Sequence, residues 1–162
     1  MRKVVVNSSP LIALCGIGKL GLLREIYGEI AIPLAVYQEI SAKQDSLCKH
    51  YIDNAAEWVR ICQIRNTLAK RLFKAKLHAG EVEAMILAQE QNADLLIIDD
   101  ALAKRHAIYL GINVTGTLGV LIKARQMNLI SELAPLLQQL RRNNIYVSEK
   151  LISYCLQKVG ES

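Results

Sequence analysis

Asn7, Glu39, Glu81, Asp99 and Asp100 carry the oxygen donors most worth asking about in this chain. Carboxylates gathered at one edge of a fold repel one another and call for a hard cation, and Mg²⁺ or Mn²⁺ takes oxygen ligands. A metal held in that way activates water and neutralises charge developing on a phosphate. The chemistry to look for is therefore metal-assisted hydrolysis at a phosphate.

These residues need elements that bring them together. Asp94–Asp100 reads D-L-L-I-I-D-D, four apolar residues running into two carboxylates, with a helical pattern from Ala101 to Leu110 directly after. A short run apolar at every position suits a strand buried on both faces of a parallel sheet. Its C-terminal end is where open α/β sheets place ligands. Lys3–Val6 is a second run of this kind, and Asn7 follows it. Parallel strands feed their helices on the same edge, so Asn7 and Asp99 belong together there. Glu39 lies one turn before the end of a helix predicted over Leu34–Ala42, and Glu81 opens a helix predicted over Glu81–Gln91.

Each acid also has a plain reading. Glu81 and Glu83 stand in a helical first turn, where the helix dipole favours acids. Asp99 or Asp100 is a natural N-cap for the following helix. Glu39 has Lys43 at i,i+4, and Asn7 fits an Asx turn before Ser-Ser-Pro. If the strand continues through Asp99, the two aspartates point to opposite faces, so only one is a ligand from the strand. Glu81 and Glu83 are about 200° apart on a helix and do not face one metal together. Glu81 shares the apolar side with Met85 and Ala88.

The remaining elements are predicted as follows. Ser9 caps a helix with Pro10 in its first position, and a second short helix spans Leu20–Tyr27. Glu29–Ile32 is a strand and Pro33 opens the next helix. Leu47–Glu57 is helical, Trp58–Ile61 a short strand, and Asn66–Lys76 a basic helix with Leu68, Leu72 and Phe73 inward. Ile112–Val114 is a strand; Gly116-Thr117-Leu118-Gly119 opens a helix through Arg125. Ser131 caps a helix to Arg142, Tyr146–Val147 is an edge strand, and Ser148-Glu149 starts the last helix, which stops at Gly160. Strands alternating with helices predict an α/β protein with a parallel sheet covered on both faces.

The chain has 162 residues, expected to form one domain over 1–162, with 52% hydrophobic residues but 5% aromatic ones. That is an aliphatic core suited to helices on a sheet. The net charge of +5 favours polyanion partners. Cys15, Cys48, Cys62 and Cys155 form no CxxC pair and read as reduced, mostly buried thiols of a cytoplasmic protein. Cys48-x-His50 is too sparse for zinc. No signal peptide is evident and no apolar run reaches the roughly 18 residues of a membrane span. There is no P-loop and no GxGxxG after a strand, and His50, His78 and His106 lie in no recognisable catalytic motif. The helix start at Thr117 reads either as a plain N-terminus with glycines for tight packing, the reading the residues favour, or as a donor of backbone N–H groups to a phosphate. Lys104 and Arg105, within two turns of Asp99, read either as part of a solvated helix face or as contacts to a phosphate backbone.

In succession, V-V-N-S-S-P-L-I-A-L, I-P-x-x-V-Y-x-E-I, L-x-A-G-E-V-E-A-M-I-L-A, L-L-I-I-D-D-x-x-A-K-R-x-A and G-I-N-V-T-G-T-L-G-V-L-I-K-A resemble a PIN-domain protein, most closely the DUF3368 branch. The resemblance covers nearly the whole chain, with Lys43–Lys76 the loosest part. It implies a Rossmann-like three-layer α/β/α sandwich with a mostly parallel sheet and a metal-dependent ribonuclease centre. PIN domains gather about four acids around Mg²⁺ or Mn²⁺. By motif, Glu39, Glu81 and Asp99 match three of them, with Asp100 a substitute for Asp99. Asn7 stands where most PIN domains have Asp, and its amide oxygen ligates a metal without adding charge. The implied activity is endoribonuclease cleavage of single-stranded RNA. Glu39, Glu81 and Asp99 would hold one or two ions, Asn7 would orient a metal or its water, and Lys104, Arg105 and Thr117 would hold the backbone. Many such proteins are toxins restrained by a small antitoxin protein, and many are homodimers. The rival reading, supported by Asn7, is a weak or inactive PIN-like module that binds nucleic acid or protein. A third is a small-molecule- or nucleotide-binding α/β protein.

Overall fold

A computed structural model of the chain describes residues 2–43, 46–72 and 77–161. Its strands are β1 (Val4–Val6), β2 (Ile30–Pro33), β3 (Val59–Cys62), β4 (Leu95–Ile97) and β5 (Val114–Thr115). They form one sheet in the order β3-β2-β1-β4-β5, with every neighbouring pair parallel. Val5 aligns with Ala31 and with Leu96, and Leu96 with Val114. The chain builds outward from β1 in one direction and then returns to build outward from β4 in the other. The reversal falls between β1 and β4, and the crevice at the C-terminal ends of those two strands is the usual ligand position of such a sheet.

The helices are α1 (Ser8–Gly16), α2 (Gly21–Tyr27), α3 (Leu34–Ala42), α4 (Leu47–Asp53), α5 (Ala79–Glu90), α6 (Ala101–Tyr109), α7 (Thr117–Gln126), α8 (Ala134–Arg142) and α9 (Glu149–Val159). A 3₁₀ turn runs over Thr67–Leu72. Successive strand residues point to opposite faces, and this divides the core in two. Val4, Val6, Ile30, Ile32, Leu95 and Ile97 pack with Leu11 and Leu14 of α1, Leu23 of α2, Leu121 of α7 and Leu137 of α8. Val5, Ala31, Leu96 and Ile98 pack with Met85 and Ile86 of α5 and with Ala103 and Ala107 of α6. This is the mostly parallel α/β/α arrangement expected from strands alternating with helices. Among the described residues, no helix is long and apolar enough to cross a membrane.

Several boundaries differ from the sequence reading, each for a physical reason. Helix α1 begins at Ser8 with Asn7 as its flanking residue, not with Ser9 as cap. Pro10 is then the third helical residue, where the missing N–H is still one that no helical carbonyl would accept. Helix α5 is buried at every residue from Gly80 to Ala88, because the sheet covers one side and α3 the other. Its apolar pattern therefore marks no single face. Ser131 does not cap α8, which starts at Ala134. The backbone N–H groups of Leu133 and Ala134 are taken instead by the Glu161 carboxylate, at 2.8–3.2 Å. Tyr146–Val147 is not a strand; it joins α8 to α9 by way of buried Val147. In the basic segment only the 3₁₀ turn is described, and Leu68 is exposed rather than inward. The inward placement expected of the Leu72 and Phe73 side chains lies outside what the structure describes.

Candidate active site

Strand β1 delivers Asn7 to the crevice. The Asn7 N–H donates to the Ile97 carbonyl at 2.9 Å, carrying the β1–β4 ladder one residue beyond the strand. Its side chain is then turned into the protein: Asn7 is 2% exposed, and Oδ1 is buried with no hydrogen-bond donor. A buried polar atom left unpaired costs about 1–3 kcal/mol. Nearly all such atoms in native proteins have a partner, so this one asks for an explanation.

Strand β4 ends two residues before Asp99. Alternation sends the two aspartates apart, as the strand geometry requires. Asp100 caps α6, its Oδ2 accepting the Ala103 N–H at 2.8 Å. Asp99 turns to the other side and meets the start of α7. Its Oδ1 accepts the Thr117 N–H at 2.7 Å and its Oδ2 accepts the Thr117 hydroxyl at 2.6 Å. Thr117 is buried and gives both of its donors, the N–H and the hydroxyl, to Asp99. Gly116 makes this approach feasible. A methyl group there would stand 2.6 Å from Asp99 Oδ1 and 2.8 Å from Lys104 Nζ. Lys104 is therefore brought beside Asp99, while Arg105 is exposed and does not line the cavity at Asp99.

Glu39 is held from two directions. Its Oε2 accepts the Ser8 hydroxyl at 3.0 Å and its Oε1 accepts the Gly80 N–H at 2.8 Å. It does not pair with Lys43. The carboxylate thus joins the start of α1, one residue from Asn7, to the start of α5, one residue from Glu81. A side chain at Gly80 would overlap the carboxylate, with Cβ 2.9 Å from its Cδ. Glu81 is buried and its Oε1 accepts the His78 N–H at 3.0 Å, a cap bond of α5. Glu83, on the other side of α5, is a structural acid: it accepts the Ala35 N–H at 3.2 Å and pairs with Lys70 Nζ at 2.6 Å.

The structure thus brings Asn7, Ser8, Glu39, Gly80 and Glu81 into one chain of neighbours, and Asn7 and Asp99 onto the ends of adjacent strands. Among the described residues no three His, Cys, Asp or Glu side chains converge as a ready cage for an ion. The donor set nonetheless fits a hard divalent cation in kind: three carboxylates and an amide oxygen, with the orphaned Asn7 Oδ1 free to bind. The carboxylate oxygens of Glu39, Glu81 and Asp99 that face protein are taken by N–H and O–H groups, which fix the side chains at this edge.

Sequence reasoning missed Ser8 and Gly80 as the groups that hold Glu39. The only signal was their position, each directly beside a candidate ligand. It also missed the cavity, of about 1010 Å³, that opens from Asp99 along α7 to the segment after α8 and to α9. Its lining comes from elements far apart in the chain.

A 3-2-1-4-5 parallel sheet between helices, with acids and an orphaned amide at its switch point, defines a Rossmann-like α/β/α protein with a polar crevice. The family model described as DUF3368, PIN domain, matches residues 3–161, and the chain belongs to that family. PIN domains are typically nucleases and generally use divalent metal ions. Among solved structures, the chain is similar to a PilT N-terminus domain protein from the hyperthermophilic archaeon Sulfolobus solfataricus P2. Identity is 24%, coverage is 75% of this chain and 92% of that one, and the TM-score is 0.52. A second similar structure is a domain of a functionally unknown protein from Methanocaldococcus jannaschii DSM 2661, 21% identical over 72% of this chain and 91% of that one, at a TM-score of 0.46. The first likeness speaks to the fold alone. No curated protein matches the chain.

Proposed function

We propose that the protein is a metal-dependent endoribonuclease acting on single-stranded RNA, with Glu39, Glu81, Asp99 and Asn7 holding Mg²⁺ or Mn²⁺. The observation that carries this reading is the buried Asn7 Oδ1, without a hydrogen-bond partner, at the C-terminal end of β1, next in sequence to Ser8, whose hydroxyl donates to Glu39. When bound, the ion would supply an activated water and offset charge developing on the phosphate. The protein's own groups do the positioning. Thr117 fixes both oxygens of Asp99, Ser8 and Gly80 fix Glu39, and Lys104 stands beside Asp99, where a phosphate oxygen would be neutralised. Asp100 acts at one remove, by fixing the start of α6 and so the direction in which Asp99 leaves the strand.

The test is cleavage of a labelled single-stranded RNA with Mg²⁺ or Mn²⁺ by the wild type, Asp99→Asn and Glu39→Gln. Loss of cleavage in EDTA and in both variants supports the reading. Cleavage that survives EDTA and Asp99→Asn sinks it. A second reading, a PIN module that binds nucleic acid without turning it over, is favoured by the neutral amide at position 7 and by the absence of a converged acidic cage among the described residues. It expects RNA binding with no cleavage under any metal. A small antitoxin-type protein partner and a homodimer belong to the first reading as proposals. Sedimentation of the pure protein tests the dimer, and co-purification with the product of an adjacent short gene tests the partner.

A further inference from the structure

The cavity at Asp99 continues well past the proposed centre. Among the described residues, four that line it are lysines, Lys43, Lys104, Lys123 and Lys158, and Asp99 is the only acid that does. Its lining also includes Tyr146 and Tyr154, residues that are 88% and 54% exposed. Tyr146 is exposed on a fixed support. The Ile145 N–H donates to the Leu140 carbonyl at 3.0 Å, and Val147 is buried with its carbonyl held by Arg141 Nε at 3.1 Å. Beside Tyr154, Lys158 Nζ lies 5.6 Å from the ring centroid and donates to the tyrosine hydroxyl at 3.3 Å. An ammonium group and an open aromatic ring are thus paired on α9.

We infer that this lining is a base-stacking track for single-stranded nucleic acid. Unpaired bases would stack on Tyr146 and Tyr154 while the lysines hold the phosphates and lead the strand to Asp99. The occupant follows from the lining. Four cations against one acid select a polyanion. Open aromatic rings select one whose base faces are free, which a duplex hides and a single strand offers. Stacking tolerates every base, so the track binds without sequence preference and leaves the choice of cleavage site to the crevice. The inference rests on the ribonuclease reading for its direction, since Asp99 is taken as the end where chemistry occurs; the binding itself does not need turnover.

The experiment is fluorescence anisotropy with a labelled single-stranded RNA in EDTA, so that no cleavage intervenes and the result stands apart from any nuclease assay. Tyr146→Ala and Tyr154→Ala are each expected to weaken binding by about 5- to 150-fold, the range for loss of one stacked base. Tyr146→Phe and Tyr154→Phe are expected to keep wild-type affinity, because the ring remains. Tyr109→Ala serves as the control: Tyr109 is 89% exposed but lies outside the cavity, and its loss is expected to change nothing. A strand with abasic sites is expected to bind as weakly to the wild type as an intact strand binds to the alanine variants. The inference is overturned if both alanine variants bind like the wild type, if abasic and intact strands bind equally, or if a duplex binds as tightly as a single strand.

Discussion

Replacing Asn7 by Asp tests whether position 7 is a metal ligand, with a readout that needs no substrate. The side chain is 2% exposed and Oδ1 has no donor. In the wild type that orphan already costs about 1–3 kcal/mol. A carboxylate in the same place leaves an uncompensated buried charge, a change that typically costs about 3–5 kcal/mol. For a chain of this size each kcal/mol shifts the melting temperature by about 2–4 °C, so Asn7→Asp in EDTA is expected to melt roughly 6–20 °C below the wild type at neutral pH. The sign of its pH dependence follows from burial, which raises the pKa of the new acid above its unfolded value of about 3.9. The penalty is then small at acid pH and grows as pH rises through the gap between the two values. Mn²⁺ should reverse it. At 100 times the dissociation constant an ion returns about 2.7 kcal/mol, and the variant should gain more from the ion than the wild type does because its ligand is charged. Differential scanning fluorimetry with and without Mn²⁺ reads all of this. Equal melting of the two proteins in EDTA, or an equal Mn²⁺ increment in both, would refute the assignment of Asn7 to the site.

Four further outcomes follow from other contacts. Thr117→Val removes the hydroxyl that donates to Asp99 Oδ2 but keeps the shape and the backbone bond; a loss of about 1.5 kcal/mol in stability is expected by urea titration, with kcat lowered more than KM is raised. Gly80→Ala drives a methyl group into the Glu39 carboxylate and is expected to destabilise by about 1–3 kcal/mol and to weaken Mn²⁺ binding in calorimetry, whereas Gly21→Ala, with open space around it, should do neither. Glu161 would be raised by burial alone, but the Leu133 and Ala134 N–H groups and the Arg125 guanidinium outweigh that and hold its carboxyl below the ordinary value. It therefore stabilises the fold above its unfolded pKa, and this is lost as pH falls through the lower folded value; Glu161→Gln should flatten that part of an acid unfolding profile. Cys15, Cys48 and Cys155 are buried and Cys62 is half-buried, so a thiol reagent is expected to modify Cys62 first and the other three only on unfolding, as read by mass spectrometry. The Cys15 thiol should lag most, because its contact with Cys48 at 3.1 Å and its burial push its pKa far up.

The elements that place the site were legible because their signals are local. D-L-L-I-I-D-D reads as a buried strand ending in acids wherever it is folded, and strand alternation alone separates Asp99 from Asp100. What was not legible depends on contacts distant in sequence. Ser131 looked like the cap of α8, yet the first N–H groups of that helix are satisfied by Glu161, 27 and 28 residues away. Glu39 looked like a partner for Lys43, yet Gly80, 41 residues on, offers a backbone N–H that no sequence pattern marks. Thr117 read as a phosphate contact because a helix start donates N–H groups; the structure gives both of its donors to Asp99. Cys15 and Cys48 carried no pairing signal at all, since nothing in the spacing says that α1 and α4 meet.

The most direct measurement of the central proposal is the anomalous diffraction of a crystal soaked in Mn²⁺. The expected result is a peak in the crevice between β1 and β4, coordinated by Asn7 Oδ1 and by carboxylate oxygens of Glu39, Glu81 and Asp99. A peak elsewhere with none of these side chains turned toward it, or no peak at millimolar Mn²⁺, would contradict it.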